Sequence, residues 1–96
     1  MAQRETRPYE IPEGTPEMYA DSIQIQTQLY GSTLLLGELR QGEPPLIKAK
    51  VKVSPQMAKV LSLILSKHVR EYERDIGAIA IPNQLLHDLG LEDEIR

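Results

Sequence analysis

Histidine, serine and acidic residues are the side chains of this chain that could do acid–base or metal chemistry, since it contains no cysteine. His68 and His87 are its two histidines, and neither has a second histidine four residues away, the spacing that zinc-binding helices use. His68 falls among apolar residues, so we expect it to be a core residue. The pattern predicts neither a thiolate nor a histidine metal site.

The acidic residues are concentrated in the last third of the chain, where they include Glu71, Glu73, Asp75, Asp88, Glu92, Asp93 and Glu94. Catalytic carboxylates need a cleft that moves their pKa values apart, and a small sheet with one helix offers none. Ser32 and Ser54 have no base at an arguable spacing, and Gly31 and Gly42 belong to no phosphate-binding motif. We therefore predict a protein that is not an enzyme and has no cofactor.

Lys48, Lys50 and Lys52 alternate along one segment and are the main indication of nucleic-acid contact. Ribbon-helix-helix proteins read DNA with strand side chains of this kind, although they have shorter helices and a second full helix. Lysines also keep an exposed strand soluble and discourage edge pairing. The net charge of -3 and pI near 5.3 do not favour bulk nucleic-acid binding, so a nucleic-acid-binding module is the alternative function.

A long amphipathic helix is the most clearly predicted element. Ser54 is a suitable N-cap, Pro55 suits the first helical position, and Gly77 suits the C-terminal end. At 100° per residue one side carries what we call the apolar stripe, namely Met57, Ala58, Leu61, Ile64, Leu65, His68, Val69, Tyr72 and Ile76. The pattern predicts about 22 helical residues spanning about 33 Å.

Three segments before this helix read as strands. Residues 19–29 alternate strictly between polar and apolar positions and, as a strand, would reach about 36 Å, the length of the helix. A turn at residues 30–32, a strand at 33–39, a loop at 40–45 and a strand at 46–53 follow. In the third strand, Ile47, Ala49, Val51 and Val53 are expected on one face and the lysines on the other.

These elements predict an α+β fold with two layers, β-β-β-α, in which one long helix covers an antiparallel meander. A short helical turn at residues 84–89 follows, stopped by Gly90. We expect a flexible N-terminal tail over residues 1–17, because prolines and charges there show no apolar period. A single domain at residues 18–91 and a frayed C-terminus at residues 92–96 complete the predicted organisation.

Several short motifs resemble those of a prokaryotic family known as domain of unknown function 3467. They are Tyr19-Ala20-Asp21, Ser54-Pro55-Gln56 with Ala58-Lys59, Tyr72-Glu73, and Gly77-Ala78-Ile79, within residues 18–80. The family tends to carry Asn at position 21 and Phe-x-Leu-Asp-Phe where this chain has Leu34-Leu35-Leu36-Gly37-Glu38. The resemblance implies this fold and no activity.

Some apolar residues have no place in such a two-layer core, and they suggest an oligomer. Leu63 lies nearly opposite the apolar stripe, Val60 lies at its edge, and Leu34, Leu35 and Leu36 place leucines on both faces of one strand. Because apolar patches usually mark association, these five residues are the predicted interface of a homodimer or higher even oligomer. The leading prediction is a non-enzymatic, homo-oligomeric adaptor or assembly protein, with another protein as a second candidate partner.

The third prediction is a holdase resembling the SecB export chaperone, with Gln24, Gln26, Gln28 and residues 34–36 as its surface for unfolded polypeptide. No stretch of about 18 apolar residues predicts a membrane span, and the N-terminus lacks the apolar centre of a secretory signal. We therefore expect a cytoplasmic protein with no membrane partner.

Overall fold

The computed structural model describes residues 8–95, so part of the predicted N-terminal tail and Arg96 lie outside the described residues. Contacts divide the chain into two compact units, one ending at Val53 and the other beginning at Ser54. The first contains an antiparallel sheet of order β1-β2-β3, and the second a long helix and a short one. The elements are β1 Ser22–Gln28, β2 Gly31–Arg40, β3 Glu43–Val53, α1 Pro55–Asp75, α2 Asn83–Asp88 and a 3-10 turn Glu92–Glu94.

The predicted α+β class, the meander and the long helix are confirmed. That the helix covers the sheet stays a prediction, as does the single domain.

β1 is shorter than the alternation predicts, because it has 7 residues and begins at Ser22. Just before it, the Asp21 N–H donates to the Gly37 carbonyl oxygen at 3.0 Å, but the Leu39 N–H donates to the side-chain Oδ1 of Asp21 at 2.8 Å. Such side-chain bonds compete with a backbone ladder. The regular ladder therefore begins at Ser22 and not at residue 19.

The turns of the meander lie earlier and are tighter than predicted. Gln28 pairs with Gly31, so the first turn is Leu29-Tyr30, and Gly31 already belongs to β2. Arg40 pairs with Glu43 around Gln41-Gly42, where Gly42 has a φ of 74° that favours glycine. The predicted loop at residues 40–45 is too long, since the turn consists of Gln41-Gly42 alone.

Pro44 and Pro45 belong to β3, which is an edge strand and tolerates their missing N–H groups. Glu38 pairs with Leu46 and Arg40 with Glu43, so the two prolines lie opposite Leu39 alone. The ladder is thus irregular here, with two residues facing one. Arg40 supports this end of the hairpin, since its Nε and Nη2 donate to the Pro44 carbonyl oxygen at 3.0 and 2.9 Å.

A second irregularity changes which face of the sheet β3 presents. Leu36 pairs with Ala49, but the next residue, Gly37, pairs with Ile47, so Lys48 is an extra residue on β3. Because paired residues share a face, Ile47 lies on the face opposite to Ala49. The prediction that Ile47, Ala49, Val51 and Val53 all share one face is wrong at Ile47, since a one-residue bulge reverses the alternation.

Gly37 is buried at this bulge, and there is no room for a side chain there. A Cβ built there would overlap the Leu46 carbonyl oxygen and lie 2.9 Å from the Leu46 carbonyl carbon and 3.0 Å from Ile47 Cα. These are backbone atoms that a rotamer change cannot move. The close approach of the two strands therefore requires glycine at this position.

Little of the sheet unit is buried. Leu34, with 9% of its surface exposed, is the most buried apolar residue described, and Ser22 is buried beside the bulge. The register places Leu34 between Ile25 and Val51 on one face. Three strands with one apolar face are about the minimum for an independently stable sheet.

α1 begins where the sequence predicts. Ser54 is the N-cap, its Oγ accepts a hydrogen bond from the Met57 N–H at 3.0 Å, and Pro55 is the first helical residue. At the other end, the N–H groups of Ile76 and Gly77 both donate to the Tyr72 carbonyl oxygen, at 2.7 and 3.2 Å. These bonds satisfy end groups that the helix itself leaves without partners.

The chain after α1 is held by local contacts. The Glu73 carboxylate accepts a hydrogen bond from the Ile79 N–H at 2.9 Å. α2 ends at Asp88, Gly90 follows with a φ of 67°, and the Leu91 N–H donates to the Leu86 carbonyl oxygen at 2.8 Å. The predicted helical turn at residues 84–89 is therefore confirmed within one residue at each end.

Candidate functional site

The apolar stripe of α1 is the largest apolar feature of the second unit, and no residue of the helix is buried. Leu65, near the middle of the stripe, is 54% exposed, and Met57, Ile64, Val69 and Tyr72 are exposed as well. Only Ala58, Leu61 and Glu71 of this helix are partly covered. Exposed apolar side chains that line one face over this length are typical of an association surface.

The five residues predicted as an oligomer interface lie in different environments. Leu63 is 62% exposed and Val60 is also exposed, both on α1. Leu35 and Leu36 are half-buried, and Leu34 is buried within the sheet. Of the predicted set, the two helix residues have the most accessible apolar surface.

The sheet has two chemically different faces. On one, Ile23 is level with Leu36 and Ala49, and Ile25 is level with Leu34 and Val51. On the other, which we call the polar face, the rows are Gln24–Leu35–Lys50 and Gln26–Thr33–Lys52. In each polar row, an amide group from β1 and an ammonium group from β3 therefore flank the middle strand, β2.

Lys48 is separated from the other two lysines by the bulge. Its Nζ lies 3.0 Å from Glu38 Oε2 and donates to the Tyr19 carbonyl oxygen at 3.1 Å. Within residues 8–95, no hydrogen bond or ion pair involves the ammonium groups of Lys50 and Lys52. The predicted lysine row is therefore reduced to Lys50 and Lys52 on the polar face, with Lys48 neutralised beside Glu38.

A shallow pocket of about 330 Å³ lies at the end of the polar face nearest the first turn. We call it the polar-face pocket; its lining residues are Gln26, Gln28, Tyr30, Gly31, Ser32, Thr33, Lys50, Lys52 and Val53. The lining contains amides, hydroxyl groups, two lysines and one aromatic ring, but no carboxylate. The sequence pattern identifies the lysines. It does not identify Thr33 and Tyr30 as their neighbours, because only the strand register brings these two residues beside the lysines.

The two histidines are exposed. The side chain of His68 is 70% exposed, and its Nδ1 lies 3.7 Å from Glu71 Oε1, so the expectation of a core histidine is wrong in the described unit. His87 Nδ1 lies 2.6 Å from Glu92 Oε2 across the chain reversal after α2. Over residues 8–95, no three His, Cys, Asp or Glu side chains come together as metal ligands would.

One acidic residue has a shifted pKa for a clear reason. Arg74 Nε and Nη2 donate to the two carboxylate oxygens of Asp75 at 2.8 and 3.0 Å. This pair lowers the pKa of Asp75 and raises the pKa of Arg74. Both groups are fully exposed at the C-terminal end of α1, so the pair is a surface contact of small energetic value.

None of the helices in the described part of the chain is long and apolar enough to cross a membrane. No family model, curated protein or solved structure matches the chain. The resemblance to the domain of unknown function 3467 family therefore stays a prediction, carried by the short motifs alone.

Proposed function

We propose that this chain is a non-enzymatic, homo-oligomeric adaptor or assembly protein whose copies associate through α1. The observation that carries the proposal is that α1 has no buried residue, although an apolar stripe runs along its length. Helices in proteins are stabilised mainly by the packing of an apolar face rather than by intrinsic helix propensity. A second copy supplies such a face.

Two copies of the stripe fit together best in antiparallel orientation. If Leu65 of each copy lies at the two-fold axis, Leu61 faces Val69, and the small Ala58 faces the large Tyr72. A parallel arrangement instead places Tyr72 against Tyr72. An isologous two-fold interface is also the commonest way in which soluble chains pair.

The stripe supplies enough apolar area for a moderate affinity. Fully burying an aliphatic side chain stabilises by about 1.5–3 kcal/mol, so a half-exposed one gains about 1 kcal/mol. With Met57, Ile64, Leu65, Val69 and Tyr72 from each copy, the gross gain is about 10 kcal/mol. Association itself costs about 4–15 kcal/mol. At the lower cost the net gain is about 6 kcal/mol, which corresponds to a Kd of tens of micromolar, and tighter pairing requires the burial of further apolar surface.

Sedimentation velocity of the full chain, over a concentration series into tens of micromolar, tests the proposal. We expect a dimer or larger even oligomer that Leu65→Lys dissociates. The matched variant Leu63→Lys adds the same charge two residues away on the opposite side of the helix, at a residue that the sequence analysis assigned to the interface. A dimer that pairs through the stripe instead should stay intact in this variant. Circular dichroism of both variants checks that the helix is retained.

The result can also go against the proposal. If only Leu63→Lys dissociates the oligomer, the copies pair through the opposite side of α1 and the antiparallel stripe model is wrong. A monomer throughout the series would overturn self-association. A different polypeptide would then be the occupant of the exposed helix, and suppression of aggregation of an unfolded client would test the holdase alternative.

A further inference from the structure

Among the described residues of the sheet unit, the polar-face pocket collects the positive charge that no carboxylate pairs with. In this unit Arg40 lies 3.7 Å from Glu43, and Lys48 lies 3.0 Å from Glu38, so these two cations are paired. Lys50 and Lys52, by contrast, face a pocket whose lining has no carboxylate. The chain as a whole has a net charge of -3, so the positive charge at this pocket is a local excess and not a general property of the chain.

The other groups in the pocket suit a nucleotide better than a bare anion. Gln26, Gln28 and Thr33 line it with amide and hydroxyl groups, which can both donate and accept hydrogen bonds, as the edges of bases require. A volume of about 330 Å³ lies at the lower end of the range for small-ligand sites. The pocket is therefore large enough for one nucleotide unit.

Tyr30 supplies an aromatic surface at the rim of the pocket. It occupies the two-residue turn between β1 and β2 and is 88% exposed, so its ring is open to a ligand. Proteins that bind single-stranded nucleic acid combine basic side chains along the backbone with aromatic rings on which bases stack. The polar-face pocket has both parts within one hairpin and its neighbouring strand.

We propose that the polar-face pocket binds one nucleotide unit of a single-stranded nucleic acid. Lys50 and Lys52 contact the phosphate, Tyr30 stacks on the base, and Gln26 and Thr33 hydrogen-bond to the base edge or sugar. Single strands are favoured over duplex because stacking on Tyr30 needs an unpaired base. This inference does not depend on self-association, since all of its residues belong to the sheet unit.

Fluorescence anisotropy with the full chain and a short labelled oligothymidylate tests the proposal over a salt series. With the one phosphate of this nucleotide unit neutralised, the slope of log K against log salt should be about -0.7. Tyr30→Ala should weaken binding about 5- to 100-fold, the usual effect of losing one stacked base, while Tyr30→Phe should retain it. The double variant Lys50→Gln/Lys52→Gln should bring the salt slope close to zero.

The matched control is Lys59→Gln/Lys67→Gln, which removes the same charge from α1 and should leave affinity and salt slope unchanged. Unlabelled duplex of the same sequence should compete at least tenfold less well than the single strand. Competition with free thymidine monophosphate distinguishes a site for a free nucleotide from a site for a nucleic-acid strand. If the monophosphate competes as strongly as the oligonucleotide, the ligand is a free nucleotide and not a strand.

Three results would overturn the proposal. One is the absence of salt-dependent binding below about 100 µM, the upper limit of ordinary non-specific affinity. Another is equal weakening by the α1 control, because binding would then depend on net charge rather than on the pocket. The third is unchanged affinity in Tyr30→Ala and in the double lysine variant, with folding of each variant verified by circular dichroism.

Discussion

Replacing Gly37 by alanine should weaken the sheet, because the bulge leaves no space for a Cβ atom. The added carbon would overlap the Leu46 carbonyl oxygen and lie 2.9 Å from its carbon. Carbon atoms in ordinary contact are about 3.5–4.0 Å apart, so β2 and β3 would have to separate by roughly 1 Å at this point. The affected atoms belong to the backbone, so the strain is not relieved by rotating a side chain.

The magnitude follows from three contributions. Overpacking of a close contact costs about 1–3 kcal/mol. Weakening one neighbouring backbone hydrogen bond, such as that from Asp21 N–H to the Gly37 carbonyl oxygen at 3.0 Å, adds about 1 kcal/mol. The lower backbone entropy of alanine in the unfolded chain offsets about 0.4–1 kcal/mol. We therefore expect the free energy of unfolding to fall by about 1–3 kcal/mol.

Urea unfolding followed by circular dichroism at one fixed protein concentration measures this change, and amide exchange locates it. Gly42→Ala is the matched control, since a Cβ there meets nothing within 4 Å and only the φ of 74° is unfavourable. It should cost about 1–2 kcal/mol without altering amide exchange at Ile47. If Gly37→Ala is within 0.5 kcal/mol of the native chain and leaves Ile47 exchange unchanged, the argument from the bulge is wrong.

Three further predictions concern single hydrogen bonds. Ser54→Ala should remove the cap on the Met57 N–H and destabilise the helix by about 1 kcal/mol in thermal unfolding, while Ser54→Asn should retain it. Arg74→Gln should raise the pKa of Asp75 toward the ordinary value of an aspartate, as an NMR titration would show. Because folding lowers that pKa, the ion pair stabilises above the unfolded pKa and its contribution disappears as pH falls through the folded one. The substitution should therefore make the free energy of unfolding depend less on pH in the acid range. Asp21→Ala should remove the acceptor of the Leu39 N–H and cost about 0.5–1.5 kcal/mol, with faster amide exchange at Leu39 but not at Leu36.

Local sequence signals were reliable wherever the interactions are local. Ser54, Pro55 and the 3.6-residue period of the stripe predicted where α1 begins, because a cap and a helical turn involve residues three or four apart. Gly90 likewise marked the end of the short helix. The polar–apolar alternation of residues 22–28 predicted β1 for the same reason, as it is a property of one strand.

The candidate pocket could be predicted only in part. The alternating lysines indicated a basic strand, and this indication is confirmed for Lys50 and Lys52, which lie on the polar face. Thr33 lies between Gln26 and Lys52 only because β2 pairs with both neighbours in this register. Tyr30 was assigned to a turn but could not be related to the lysines, since they are about twenty positions further along the chain.

By itself, the sequence determined the order of the elements, the caps of the long helix and its apolar stripe, because these depend on neighbours within one or two turns. Tertiary structure alone decided the register of β3, in which the bulge at Lys48 moves Ile47 to the polar face and joins Lys48 to Glu38. A strand's register depends on its partner's backbone as well as on its own alternation. The close approach of the two strands depends on Gly37, because a Cβ there would overlap the backbone of Leu46.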